Sequence, residues 1–336
     1  MSVREALAVA ARREDVPAPL LEAAFGEIMD GKASPALVAG LLVALRTKGE
    51  SVDEIVAAAR ALRARAERAP LPDARAIDTC GTGGDGAGTF NVSTAVAFVV
   101  AGAGVPVAKH GNRGATSRSG SADVLEALGV RVDLPIARAA EIVREVGIGF
   151  LFARRAHPAM RQLAAVREEL GVRTLMNCLG PLANPLGVRR QLVGVYACEL
   201  VEPLARALAA LGADAALVVH GDDGLDEITT TTTSRAARWA DGRLEMLVID
   251  AASLGFARAR RGDLVGGDAR ENARLVREVL SGAATPRRDI VLVNAAAALW
   301  VAGAADLGAG LAQARASIDS GAALAKLSAL AEATHR

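Results

Sequence analysis

The stretch Asp78-Thr-Cys-Gly-Thr-Gly-Gly-Asp-Gly86 lies between a short apolar run and an apolar segment with helical spacing. Glycines let backbone amides approach a ligand closely, and the N-terminus of the following helix favours an anion. Asn91, Ser93 and Thr94 add an amide and two hydroxyls at that N-terminus. The stretch therefore predicts a strand–loop–helix unit that binds phosphate, because the five glycines between residues 81 and 88 are more than a tight turn requires.

Similar strand–loop–helix units continue from residue 75 onward and predict an α/β domain with a mostly parallel central sheet flanked by helices. Asp241-Gly242 is a strong hairpin turn signal between the last two strands. The predicted strands are Ala76–Cys80, Val105–Ala108, Gly149–Ala153, Leu192–Ala197, Ala215–His220, Arg235–Ala240 and Arg243–Ile249.

The residues before the glycine loop show only helical spacing. Ser34-Pro35 is an N-cap followed by proline at the first helical position, and Ser51 with Glu54 forms a capping box. We therefore predict a small N-terminal helical domain over residues 1–70, joined by helices around 157–185. Residues 71–336 are predicted to form the larger α/β catalytic domain. Further helices are predicted at Asp268–Leu280, Asp289–Ala302 and from Leu311 onward.

Composition excludes several classes of protein. Of the 336 residues, 51% are hydrophobic and 23% are charged, so the chain can bury a sizeable core. The net charge of +1 shows no basic excess of the kind that favours binding to nucleic acid or an anionic membrane. The three cysteines form no C-x-x-C pair and suggest neither a disulfide framework nor a zinc site. A charged start and the absence of a membrane-length apolar run predict a cytoplasmic, soluble protein.

The spacing of Gly81, Gly83 and Gly86 also satisfies G-x-G-x-x-G, which is typical of dinucleotide-binding folds. However, the next predicted strand leads to Lys109, where an acid for a ribose hydroxyl would be expected. Asp85 would repel a bare pyrophosphate, but it suits a ribose hydroxyl or a phosphate screened by Mg²⁺. We therefore disfavour a dinucleotide site.

A second loop, Lys109–Asp123, places glycines, hydroxyls and cations directly after a strand. This pattern predicts a second anion cradle, with Lys109 as a mobile charge and Ser121 as the N-cap of the next helix. Arg118 is interpreted as a solvated surface residue.

Acidic and basic candidates follow later strands. Asp226 and Glu227 follow an apolar strand, where carboxylates suit Mg²⁺, although an Asp-Glu pair is also common surface charge. His157-Pro158 is predicted to begin a helix that carries Arg161 and Arg167. An arginine fork suits a substrate carboxylate, but spacing does not separate these two residues.

These motifs together resemble the anthranilate phosphoribosyltransferase family almost from end to end. The resemblance includes GTGGDG with TFNVST, KHGNR with SGSADVLEALG, HPAM with Arg167, GPLANP, GLDEIT and Ile318-Asp-Ser-Gly321. It implies a fold like that of class II nucleoside phosphorylases, a homodimer, and the second step of tryptophan biosynthesis. Thr116, where the family commonly has serine, is a modest departure.

The resemblance also implies a division of the site residues. Positioning by Arg167 and Asn112, with no acid or base catalyst, is implied for the reaction. Magnesium is implied at Ser93, Asp226 and Glu227. The phosphoribosyl pyrophosphate (PRPP) site is implied at Gly81, Gly84, Asp85, Thr89, Asn91, Ser93, Thr94, Lys109, Asn112, Ser117 and Ser121. The anthranilate site is implied at Gly81, His110, Asn112, His157, Arg167, Gly180 and Pro181.

Two rival functions remain at this stage. A class II nucleoside phosphorylase would share the fold, and the KHGNR motif with Arg167 disfavours it. A non-catalytic paralogue that binds nucleic acid is disfavoured by the balanced charge.

Overall fold

The N-terminal part of the chain is helical. The computed structural model describes residues 2–114 and 118–336. Its first four helices are α1 (Ser2–Ala11), α2 (Ala18–Met29), α3 (Pro35–Lys48) and α4 (Val52–Ala64). Ser34 caps α3 by accepting a hydrogen bond from Leu37 N, and Ser51 with Glu54 forms the predicted capping box of α4. The local start signals in the sequence therefore fix where these two helices begin.

The rest of the described chain forms a sheet surrounded by helices, which confirms the predicted fold class. Its strands are β1 (Ile77–Asp78), β2 (Val107–Gly111), β3 (Ile148–Phe152), β4 (Arg190–Gly194), β5 (Ala215–Gly221), β6 (Thr233–Ala240) and β7 (Arg243–Asp250). Its helices are α5 (Val92–Gly102), α6 (Ser121–Ala127), α7 (Ile136–Val146), α8 (Ala153–Ala156), α9 (Ala164–Leu170), α10 (Leu179–Leu182), α11 (Val201–Ala210), α12 (Ala269–Leu280), α13 (Pro286–Ala302), α14 (Leu307–Asp319) and α15 (Ala322–Ala333).

The sheet has the strand order β3-β2-β1-β4-β5-β6-β7. Strands β1 to β5 pair in parallel, and β6 and β7 are antiparallel. The hairpin turns at Asp241 and Gly242, both with positive φ (53° and 72°), as the sequence predicts. The chain reverses its direction across the sheet between β1 and β4. Open α/β sheets bind ligands at such a point, outside the carboxyl ends of the strands.

The two faces of the sheet pack against different partners. Alternate residues of each strand point to opposite faces, so Ile77 and Val107 join a core with α5 and α12–α15. On the other face, Val193 and Val218 join a core with α1–α4 and α11. That second core also contains Leu163 and six of the residues between 175 and 183, so the N-terminal helices are anchored by later segments of the chain.

Three local expectations are wrong. The segment after His157 is a 3-10 helix, Pro158–Leu163, followed by the separate helix α9, rather than one helix. Gly120, not Ser121, is the N-cap of α6, because the carboxylate of Asp123 accepts the hydrogen bond from Gly120 N at 2.9 Å. Strand β1 has only two residues instead of the predicted five, because the glycine loop begins directly after Asp78.

Among the described residues, no single helix is long and apolar enough to cross a membrane. Helices α13 and α14 reach the required length and apolar composition only when they are taken together, and the chain bends by 117° between them.

A buried ion pair ties α3 to the start of α4. Lys48 Nζ lies 2.9 Å from Glu54 Oε2, and the side chains are 5% and 0% exposed. The other oxygen of Glu54 accepts a hydrogen bond from Val16 N at 2.9 Å, so this carboxylate also fixes the loop before α2. Arg12 and Glu14 form a pair at the same 2.9 Å, but each side chain is 57% exposed.

We expect Glu54→Ala to lower the free energy of unfolding of the helical part by about 3 kcal/mol. This value is at the lower end of the range for breaking a buried ion pair, because Asp15 also contacts Lys48 and would still partly neutralise it. Glu14→Ala is the matched control, and it should leave stability nearly unchanged because exposed pairs contribute little. Urea unfolding followed by circular dichroism measures both. Equal losses for the two variants would contradict this account of burial.

Candidate active site

The glycine loop after β1 lies against the ends of β4 and β5. Thr82 N donates to the backbone oxygen of Gly194 at 2.8 Å, and Gly83 N donates to Asp226 Oδ2 at 2.9 Å. A Cβ at Gly194 would lie only 1.6 Å from the backbone oxygen of Asp226. Only glycine permits this approach, so the loop and the acidic residues after β5 are held together by backbone contact.

Asp85 sits inside this loop with an unsatisfied oxygen. Its Oδ1 accepts a hydrogen bond from Ala87 N at 3.0 Å, while its Oδ2 is buried without a hydrogen-bond partner. Gly83 and Gly84 on its N-terminal side have positive φ (65° and 77°), which glycine adopts without strain. A buried carboxylate oxygen without a donor is costly, and it indicates a position where a ligand hydroxyl or a cation completes the site.

Lys109 is the central cation of the site and is buried rather than mobile. It is 4% exposed, and its Nζ lies 3.0 Å from the backbone oxygen of Thr79 and 3.4 Å from Ser93 Oγ. Ser93 lies in the first turn of α5, so the ammonium group adds its charge to the positive end of that helix. Both features favour an anion at this edge of the sheet.

The acidic pair after β5 is strongly perturbed. Removal from water raises the pKa of Asp226 to about 7, and repulsion from the Asp85 carboxylate adds to the shift. Burial, followed by repulsion from Asp226, raises the pKa of Glu227 well above its usual value. Lys109 opposes the shift of Glu227 only in part. Both shifts favour the protonated carboxyl groups, which indicates that the cluster has a deficit of positive charge.

This deficit suits a hard divalent cation such as Mg²⁺, which takes oxygen ligands. Asp85, Asp226 and Glu227 do not form a closed cage, because their ligand atoms are not all within 4.8 Å of one another. Mg²⁺ commonly uses one or two carboxylates and completes its shell with water and substrate phosphates. The open arrangement therefore fits a metal that arrives with a phosphorylated substrate.

The N-terminus of α5 is fixed by side-chain amides. Asn91 Oδ1 accepts from Asn272 Nδ2 at 2.9 Å, and Asn91 Nδ2 donates to the backbone oxygen of Ser119 at 3.3 Å. These bonds join the N-terminus of α5 to helix α12 and to the loop before α6. Nearby, Thr94 is buried with an unpartnered hydroxyl, and Thr89 pairs with Val265 in an isolated bridge.

Two neutral histidines lie on the opposite face of the sheet. The rings of His110 and His157 meet edge to face, with centroids 5.2 Å apart. Burial lowers the pKa of His110 to about 3 and that of His157 to about 4, so both are neutral at pH 7. His110 Nδ1 lies 3.0 Å from the backbone oxygen of Gly180, and Pro181 follows in α10. The structure thus brings together His110, His157 and Gly180, which the resemblance placed in one subsite.

Arg167 is a half-buried cation without an acidic partner among the described residues. Burial lowers the pKa of its guanidinium below the usual value. Its helix, α9, packs against the 3-10 helix that follows His157. A half-buried guanidinium that no carboxylate neutralises is suited to bind a carboxylate ligand. The side chain of Arg161, the alternative left open by the sequence, lies outside what the structure describes.

The second loop is partly placed. Ser121 Oγ donates to the backbone oxygen of Asn112 at 3.2 Å, and Asn112 is exposed. Arg113 forms ion pairs with Asp123 and Glu126, so it supports the loop rather than facing a ligand. Ser117 and Thr116 fall outside the described residues.

The structure also shows supporting residues that sequence reasoning did not single out. Asn294 is fully buried; its Oδ1 accepts from Ile228 N at 2.9 Å, and its Nδ2 donates to Ile228 O at 2.8 Å. These two hydrogen bonds hold the backbone of Ile228, the residue next to Glu227, against α13. The carboxylate of Asp78 similarly accepts hydrogen bonds from His110 N and Asn184 Nδ2. The sequence signal that could have identified Asn294 is a side-chain amide inside an otherwise apolar helical segment.

Comparison with known families assigns both parts of the chain. Residues 73–324 match the glycosyl transferase family a/b domain, and residues 4–66 match the helical bundle domain of the same family.

Two relatives that align with about nine-tenths or more of the chain are both anthranilate phosphoribosyltransferases. The chain is 56% identical over 310 residues to anthranilate phosphoribosyltransferase of Rhodospirillum rubrum, covering 91% of this chain and 89% of the relative. It is 54% identical over 333 residues to the anthranilate phosphoribosyltransferase of an Anaeromyxobacter species, covering 99% and 98%.

Solved structures agree with these relatives. Anthranilate phosphoribosyltransferase from Thermus thermophilus superposes with a TM-score of 0.93 at 43% identity, covering 98% of this chain and 99% of that one. The Saccharomyces cerevisiae enzyme in complex with PRPP and Mg superposes with a TM-score of 0.90 at 28% identity, covering 99% and 98%. By family match, sequence identity and fold, the chain belongs to the anthranilate phosphoribosyltransferases.

Proposed function

We propose that this chain transfers the phosphoribosyl group of PRPP to the amine of anthranilate, giving N-(5′-phosphoribosyl)anthranilate and pyrophosphate in tryptophan biosynthesis. The main support for this function is that charged and neutral groups lie on opposite faces of the sheet. Lys109 and the acidic cluster lie at the end of one face, whereas neutral His110 and His157 lie on the other. An anionic, metal-dependent donor fits the first region, and an aromatic amine fits the second.

The donor region is proposed to bind the diphosphate and ribose. Backbone amides of the glycine loop and the N-terminus of α5 face the phosphates, and Lys109 adds a fixed positive charge. Asp85 offers an oxygen without a partner to a ribose hydroxyl. Ser93, Asp226 and Glu227 would hold Mg²⁺, which neutralises the negative charge of the departing pyrophosphate when bound. Pre-positioned charges of this kind stabilise charge that develops as the bond to pyrophosphate breaks.

The acceptor region is proposed to bind anthranilate by its carboxylate through Arg167. The aromatic amine is already neutral at pH 7, so it needs no general base, and neutral histidines beside it do not compete for its lone pair. Exposed Asn112 directly follows β2, which ends at Gly111, and is proposed to help position the reactants. Orientation of donor and acceptor then supplies the remaining rate enhancement.

Three broader expectations stay predictions. A homodimer and a cytoplasmic location rest on the sequence alone. The division into a helical domain of residues 1–70 and a catalytic domain of residues 71–336 is supported by the separate family matches at 4–66 and 73–324.

The direct test of this function is the loss of anthranilate fluorescence on addition of enzyme, PRPP and Mg²⁺. We expect loss that requires all three components and stops with EDTA. No loss in a folded sample that binds PRPP would overturn the proposal. Phosphorolysis of a pyrimidine nucleoside in the same sample would instead support the phosphorylase alternative.

We expect Arg167→Ala to raise the KM for anthranilate about tenfold to a hundredfold, the range for losing a hydrogen bond to a charged group, with little change in the KM for PRPP. Arg206→Ala is the matched control, because Arg206 is exposed and paired with Glu202 on α11. Steady-state kinetics with each substrate varied in turn measures both constants. An equal rise in the two KM values would remove Arg167 from the acceptor region.

The double substitution Asp226→Asn with Glu227→Gln should raise the Mg²⁺ concentration required for half-maximal activity at least about tenfold, because it removes both anionic metal ligands. Asp222→Asn is the matched control from the same loop, where Asp222 is paired with Arg235. Magnesium titrations at saturating anthranilate provide the measurement. An unchanged metal requirement in the double variant would exclude these residues as metal ligands.

A further inference from the structure

Three side chains with different ligand chemistry meet on the face of the sheet opposite Lys109. The parallel register of β1 and β2 pairs Ile77 with Val107. Continued along both chains, this register sets Cys80 beside His110. Alternation of side chains then places Asp78, Cys80 and His110 on one face, and Thr79 and Lys109 on the other. The contacts between Lys109 and Thr79 agree with that division.

The three side chains are close enough to share one ion. One ligand atom from each of Asp78, Cys80 and His110 lies within 4.8 Å of the other two. Bonds of about 2.0–2.3 Å to a tetrahedral ion require ligand atoms to approach by roughly a further 1 Å, which side-chain rotations can provide. No other group of three such residues in the described chain meets this distance.

The surroundings prepare these residues as ligands. His110 Nδ1 faces the backbone oxygen of Gly180 at 3.0 Å, and since a carbonyl only accepts, Nδ1 carries the proton. Nε2 therefore keeps its lone pair, and it is buried without a hydrogen-bond partner. Asn184 Nδ2 donates to Asp78 Oδ2 at 2.8 Å, which holds that carboxylate in place. Protein metal sites commonly use this kind of support, with a ligand histidine donating its other N–H to a carbonyl.

We propose that Asp78, Cys80 and His110 bind a single thiophilic divalent cation such as Zn²⁺, at a site separate from the Mg²⁺ site. Thiolate, imidazole and carboxylate ligands favour Zn²⁺ or Co²⁺, whereas Mg²⁺ prefers oxygen ligands throughout. Binding displaces the thiol proton of Cys80 to solvent and leaves a neutral complex of one divalent ion, one thiolate and one carboxylate. Three protein ligands leave a fourth position for water.

The spacing of the cysteines along the chain does not reveal this site, because its ligands come from two strands and include only one cysteine. Occupation would also use His110, which borders the proposed acceptor region. Zn²⁺ should therefore inhibit the transfer reaction, and this second consequence rests on the proposed function.

Cobalt provides the decisive probe, because a Co²⁺–thiolate bond gives a near-ultraviolet charge-transfer absorption. We expect the apo protein titrated with Co²⁺ to develop this band with one ion per chain, to retain it in millimolar Mg²⁺, and to lose it on addition of Zn²⁺. Cys80→Ser should abolish the band. Cys178→Ser and Cys198→Ser are matched controls, one buried and one exposed, and should retain it.

Absence of the band in the folded wild-type protein would overturn the proposal, whether or not the Cys80 variant folds. A band that persists in Cys80→Ser, or disappears in Cys178→Ser or Cys198→Ser, would also overturn it. Zn²⁺ inhibition that excess Mg²⁺ relieves would indicate displacement at the acidic cluster and count against the separate site. A band with no inhibition would retain the metal site and contradict only its link to the acceptor region.

Discussion

The close backbone approach between the glycine loop, the end of β4 and the segment after β5 is the constraint on which the rest of the site depends. Thr82 N bonds to Gly194 O, and Gly194 lies against the backbone of Asp226 with no room for a Cβ. This contact brings a loop near residue 80 to acids more than 140 positions later. Asn294 then holds the acidic segment from behind by pairing with both backbone groups of Ile228. Carboxylates that repel one another are therefore held in place by backbone and amide hydrogen bonds, which oppose that repulsion.

The central strands divide two kinds of environment. On one face, a buried ammonium, a helix N-terminus and half-buried carboxylates create a strongly polar region. On the other face, His110 and His157 are neutral because burial disfavours their charged forms. Donor and acceptor requirements differ in the same way: one substrate carries several negative charges and the other presents an uncharged nucleophile. The sheet thus separates the charged region that we propose for the donor from the neutral region that we propose for the amine.

Local sequence patterns predicted much of this architecture because the relevant physics is local. Capping at Ser34 and Ser51 and the turn at Asp241-Gly242 depend on neighbouring residues, and the structure has them as expected. The helix after His157 and the cap at Ser121 were predicted wrongly. At α6, the carboxylate of Asp123 caps Gly120, and Ser121 Oγ donates instead to the backbone oxygen of Asn112. The glycine loop and the acidic pair were found as motifs. Their convergence, and the burial that raises the pKa of Asp226, depend on tertiary packing that spacing cannot express.

Lys109 and His110 are neighbours on β2 but serve opposite faces of the sheet. A slip of β2 by one residue against β1 and β3 would exchange them, placing an imidazole among the carboxylates and an ammonium in the proposed acceptor region. Such a shift would exchange the backbone hydrogen bonds of β2 for others of the same kind, so the sheet could still form. Correct alignment of five residues in β2 is therefore a condition for chemistry as well as for folding, and a misaligned sheet could be compact yet inert.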